Sequence, residues 1–188
     1  MMSTMFRTLA LAGVALFLQA CALQAPRYQP SIDNVEQIKK TAIRPAVLGS
    51  FTVQANAGGA DAISLRGSSM TSPVGASYAD YLADALRQEL ALAGKLDPKS
   101  TLEISGVLVK NDIAAGGIAT NSGEVEAKFV VKSAGKVNYD AVKRAEMTWD
   151  SSFVGAVAIP KAQQQYPLIV QQLLAKLLAD PQFQAALR

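Results

Sequence analysis

The sequence predicts an α+β fold: a two-layer sandwich with one mostly antiparallel sheet of about four to five strands and two main helices packed on one face. Three observations predict it. Residues 77–93 and 169–178 place apolar side chains every three or four positions, the period of an amphipathic helix. Residues 124–132 alternate apolar and charged side chains, the period of a strand with one dry face and one wet face. The order along the chain is strand, helix, three strands, helix, which stacks helices on a sheet rather than interleaving them.

At the N terminus, residues 1–7 carry a single charge at Arg7, and residues 9–18 (LALAGVALFL) are apolar or small without a break. That run is about half the length of a membrane-spanning helix. A charged start, a short apolar run and small residues at the cut describe a secretory signal over residues 1–20. The alternative, a buried core helix, would stand uncapped at the extreme end of the chain. Residues 21–41, with Pro26, Pro30, Gln24, Gln29, Ser31 and Asn34, read as an extended tether holding at most a helical turn at Val35–Ile38. The domain proper is 42–188.

Within it, Ala46–Val53 (AVLGSFTV) is a strand and Asn56–Gly59 a turn; Ala62–Arg66 is a second short strand and Gly67–Gly75 a loop. Ser77 begins a helix with Asp80 three residues on, a capping box with Asp in the usual Glu position. Tyr78, Tyr81, Leu82, Ala85, Leu86, Leu90 and Ala93 form its apolar face, and Gly94 stops it. In Thr101–Lys110, Leu102, Ile104, Gly106 and Leu108 share one row. Val125, Ala127, Phe129 and Val131 point inward from Glu124–Lys132. Ser133-Ala134-Gly135 turns the chain into a long strand, Val137–Phe153, whose inward row Lys143 interrupts; this predicts a bulge near Val142–Arg144. The closing helix starts between Pro160 and Pro167, with a stripe from Ile169 to Leu178. Asp180-Pro181 restarts a short helix anchored by Phe183 and Leu187.

Composition narrows the chemistry. The chain has 188 residues, 50% hydrophobic and 18% charged, which is a folded globular composition. Its 18 Lys and Arg against 15 Asp and Glu are scattered, not gathered in the basic stripe of a nucleic-acid binder. There is one cysteine and no histidine. No internal disulfide, no Cys/His zinc site and no Ser-His-Asp or Cys-His nucleophile can be built from these residues. The expectation is no enzyme and no cofactor.

Leu18-Gln19-Ala20-Cys21 resembles the lipobox of bacterial lipoproteins: Leu three before the cysteine, a small residue just before it, then the only cysteine of the chain. The resemblance implies cleavage before Cys21, lipid on its thiol and usually an acyl chain such as palmitate on the new amine. Ala22 and Leu23 follow, not Asp. By the usual sorting rule this implies the periplasmic face of the outer membrane. The element order behind that box, with the Leu-rich helix YLADALRQELALAG at 81–94, is similar to small Gram-negative lipoproteins of the YajG type and, in topology, to the lipopolysaccharide-assembly lipoprotein LptE. The resemblance covers about residues 45–180 in pattern and topology.

Three constellations are candidates for function. Arg66, Ser68, Ser69 and Ser77 precede the first main helix and would suit an anion at its N terminus; the plainer reading is an exposed loop with ordinary capping. Asp112, Glu124 and Glu126 flank the segment NDIAAGGIATNSGE and would need a cleft to do acid–base work; on a wet face they are solvated. Trp149, Phe153, Val157 and Ile159 belong to the most apolar stretch after the signal. They are either core and crossover or an exposed surface for a partner or ligand. The function expected is a non-enzymatic accessory or structural lipoprotein of an envelope assembly or transport system, bound to the membrane through Cys21. The alternatives are a lipid-, glycan- or peptidoglycan-binding module and a hydrolase using carboxylates alone.

Overall fold

A computed structural model describes residues 22–188. The alternation read from the sequence becomes a four-stranded sheet. Strands β2 (Val47–Val53), β5 (Leu102–Ala114), β6 (Thr120–Ser133) and β7 (Lys136–Asp150) lie side by side in that order. The two hairpin pairings are antiparallel; β2 runs parallel to β5, so the chain crosses over between them. Val125, Ala127, Phe129 and Val131 are buried on the inner face. Gly106 lies in the same inner row because the Phe51 ring occupies the space a side chain would need.

Two helices cover that face. α2 (Tyr78–Leu92) packs on β2 and β5, and α3 (Gly155–Leu178) on β6 and β7. The capping box at α2 is present: Ser77 Oγ accepts from Asp80 N, and Asp80 Oδ2 accepts from Ser77 N at 3.0 Å. α4 (Pro181–Ala186) follows with Asp180 as its cap and Phe183 fully buried. The architecture is the expected α+β sandwich, with a second sheet added to it. β3 (Ala62–Leu65) and β4 (Ser68–Thr71) form a hairpin, and β1 (Ala22–Gln24) joins β4 in parallel. The segment Gly67–Gly75, expected as a loop, thus contains a strand.

Three further expectations are corrected. Residues 21–41 are not a tether from Ala22 onward, because β1 and α1 (Ile32–Lys40) are built into the fold. Tyr28, Val35 and Ile38 are buried, each worth roughly 1.5–3 kcal/mol, and α1 lies against both α2 and α3. Tyr81 reaches back to donate to Pro26 O at 2.9 Å. The predicted bulge at Val142–Arg144 is absent, and β6 and β7 pair in continuous register from Thr120–Asp150 to Val131–Tyr139. Lys143 stays in the inward row because Asp180 Oδ2 accepts from its Nζ at 2.5 Å and from the Tyr139 hydroxyl at 2.8 Å. Finally, α3 begins at Gly155 and carries both Pro160 and Pro167 inside it. Pro160 and Ala156, whose carbonyl Pro160 cannot bond, are both exposed, so water can satisfy the freed acceptor.

Candidate functional site

The turn between β3 and β4 organises one end of the molecule. Leu65 pairs with Ser68, leaving Arg66 and Gly67 as a two-residue turn with φ of 52° and 85°. Positive φ at both central positions is what a primed hairpin turn demands. Glycine meets that freely, whereas an arginine there is uncommon. Its guanidinium supplies the reason. Nε donates to Ala115 O at 2.7 Å, Nη1 to Phe153 O at 2.9 Å, and Nη2 to Gly117 O and Ser152 O at 2.8 Å each. One side chain therefore fastens the β5–β6 loop to the β7–α3 loop and both to the small sheet.

Those loops and the first turn of α3 present apolar side chains to solvent. Phe153 is 78% exposed, Ile118 67%, and Val154 and Val157 55% each. Trp149 is buried beside Gly123; a Cβ added there would meet the indole at 3.2 Å and Ile169 Cδ1 at 2.4 Å. Ile159 is partly buried against the core. The expected apolar surface is thus divided. Phe153 and Val157 are exposed, while Trp149 is buried and Ile159 partly so. Ile118 and Val154 complete the outer set. The signal for Ile118 was a large aliphatic residue in the turn sequence Gly116-Gly117-Ile118.

The chain shares its fold with a DUF330 protein of Xanthomonas campestris. The two match with a TM-score of 0.52 at 13% identity, over 85% of this chain and 95% of that one. A candidate lipoprotein of Caulobacter crescentus overlays with a TM-score of 0.43 at 15% identity, over 82% of this chain and 96% of its own. A Chlamydia trachomatis protein overlays with 0.43 at 8%, over 72% and 96%. No family model matches the chain, and no curated protein is similar to it in sequence.

The other candidate sets are placed as follows. Cys21 lies outside the described residues. For Arg66, Ser68, Ser69 and Ser77 the plainer reading is ordinary capping. Arg66 is directed at carbonyls, Ser68 and Ser69 lie in β4, and the N–H groups of Ala76 and Ser77 both donate to Asp80 Oδ2. Asp112 lies opposite Glu124 in register, but on the wet face of the sheet. There Glu124 pairs with Lys110 and with Arg144 at 2.7 Å each, so its charge is met by two cations. Among the described residues no cluster of His, Cys, Asp and Glu could hold a metal ion, and no helix is long and apolar enough to cross a membrane.

A buried polar cluster that the sequence did not disclose joins α1 to α2. Glu89 Oε1 accepts from the Tyr28 hydroxyl, from Asn34 Nδ2 at 3.0 Å and from Ser31 N at 3.2 Å. Asn34 Nδ2 also reaches Gln171 O on α3 at 3.0 Å. Glu89 is fully buried, and its Oε2 has no partner. Burial pushes its carboxyl above the usual range, against the hydrogen bonds from Tyr28, Asn34 and Ser31 that pull it down. It lies on the helix side of the fold, and its geometry is that of a clip for residues 28–34.

Proposed function

We propose that this protein is a lipid-anchored envelope lipoprotein that acts as a non-enzymatic accessory component of an assembly or transport system. It is held at the periplasmic face of the outer membrane by acyl chains on Cys21. The observation that carries the reading is where the domain starts: Ala22, the residue after the lipobox cysteine, is already paired in β1. A domain that begins one residue after its anchor stands at the membrane surface, positioned to hold or present something there rather than to range through the periplasm. The resemblance of the sequence pattern to YajG-type lipoproteins and to LptE supports the same reading, as does the pairing of Glu124 with Lys110 and Arg144. Each buried methylene of the acyl chains adds about 0.8 kcal/mol, so two or three chains hold the protein effectively permanently.

The test is a cross-linking pull-down from membranes of the native host, comparing the wild type with Cys21→Ala. Recovery of one envelope complex with the wild type, reduced in the variant, is the expected result. Membrane-bound protein that recovers no defined complex overturns the accessory role and leaves a lipid- or glycan-binding module.

A further inference from the structure

The exposed apolar end and the entry of the chain into the domain coincide. β1 runs parallel to β4, with Ala22 beside Ser69 and Gln24 beside Thr71. The N-terminal end of β1 is therefore the end at which the Arg66–Gly67 turn lies. A second contact gives the same orientation. Gln163 of α3 donates to Gln24 O at 3.1 Å, and α3 starts about 12 Å earlier, at Gly155. Both β1 and α3 thus begin at the end where Arg66 gathers the two apolar loops. Ser151 N donates to Ala119 O at 2.7 Å, and Val157 N to Val154 O at 3.0 Å, so the segments that carry Ile118, Phe153, Val154 and Val157 are bonded to one another at this end.

We propose that this end is a membrane-seating surface, with Ile118, Phe153, Val154 and Val157 entering the boundary between headgroups and acyl chains of the leaflet that holds the anchor. The proposal rests on the lipid-anchor reading of Cys21. Its occupant is the bilayer rather than a protein because of reach. Adjacent residues are about 3.8 Å apart, so a lipid-bearing Cys21 leaves β1 no slack with which to lift this end from the surface. Aromatic and aliphatic side chains fixed at that depth are stabilised by removal from water. Arg66 then has a purpose beyond packing: it keeps two loops rigid in the orientation that points their apolar tips at the lipid.

The test uses the full chain, lipidated and reconstituted in vesicles of phosphatidylethanolamine and phosphatidylglycerol. Phe153→Cys and Ile118→Cys each carry an environment-sensitive fluorophore; in the mature lipidated chain these are the only free thiols. Val137→Cys, at the start of β7 and so roughly 40 Å along the strand from Trp149, is the control. The expected result is blue-shifted emission at 153 and 118, quenched by brominated acyl chains, with water-like emission at 137. Water-like emission at 153 and 118 in a chain that floats with the vesicles overturns the seating surface and leaves the anchor standing. Emission shielded from aqueous quencher but untouched by brominated lipid also overturns it, in favour of a protein covering this end. A wild-type chain that acquires no lipid and does not float overturns both readings.

Discussion

Arg66 and Glu89 are both charged side chains drawn into the fold at junctions between distant segments, and their surroundings differ in one respect. Four of the five N–H groups of Arg66 meet carbonyl oxygens. Glu89 has three donors crowded on one oxygen and none on the other. The guanidinium holds its loops while keeping its charge, with part of the group open to water. The carboxylate sits in complete burial with half its acceptors unmet, so the fold favours its neutral form. A buried charge can be a staple only when its geometry distributes partners over all its polar atoms. Otherwise it makes the junction depend on pH.

The largest effect expected is from Arg66→Ala. Removing the guanidinium abandons four carbonyls at once and should lower stability by about 3 kcal/mol. Denaturant unfolding measures the loss, and hydrogen exchange should show residues 115–119 and 151–154 losing protection first. If exchange instead rises evenly over the whole chain, Arg66 is not a local staple.

Glu89 should reveal itself through pH. The native state retains its proton to higher pH than the unfolded chain, so stability falls as pH rises above the ordinary Glu value, about 4.3, toward the raised native one. Glu89→Gln keeps the group neutral and an acceptor in place, and should flatten that decline. Glu89→Ala should cost about 2 kcal/mol by orphaning Tyr28 and Asn34. An unchanged pH slope in the Gln variant would break the contrast with Arg66.

Asp180 is the intermediate case, an inward acid that has a cation. Burial raises its pKa, but the hydrogen bonds from Lys143, Tyr139 and Gln182 N outweigh this and hold the carboxyl at about 2. Its contribution is complete above the ordinary Asp value and is lost as pH falls toward about 2. Asp180→Asn should cost about 1–2 kcal/mol at neutral pH and remove that part of the acid sensitivity. Smallest of all, Glu124→Gln breaks two ion pairs on the wet face and should change stability by less than about 1 kcal/mol, less still in high salt.

Local patterns in the sequence disclosed the elements whose cause is local. The capping box at Ser77, the alternation from Val125 to Val131 and the cap at Asp180 depend on neighbours within a few residues, and all three are present. What escaped depends on partners far along the chain. α1 reads as a proline-bounded polar stretch because Asn34 finds Glu89 and Gln171, 55 and 137 residues away. Lys143 looks like a break in a strand until Asp180 closes on it. Arg66 looks like a free cation in a Ser-rich loop because its acceptors are backbone carbonyls, which leave no mark in a sequence. The exposed tip was half legible: Phe153 and Val157 belong to an obvious apolar run, but apolar composition alone does not tell them, exposed, from Trp149 and Ala158, buried.

The proposed anchor is a lipid attached one residue before the first strand of the domain. Mass spectrometry of the intact protein extracted from host membranes tests it most directly. The expected product is a mature chain beginning at Cys21, with residues 1–20 gone and the mass of a diacylglyceryl group and an acyl chain at that residue. A chain that keeps residues 1–20, or one carrying an unmodified Cys21 thiol and recovered from the soluble fraction, would contradict it.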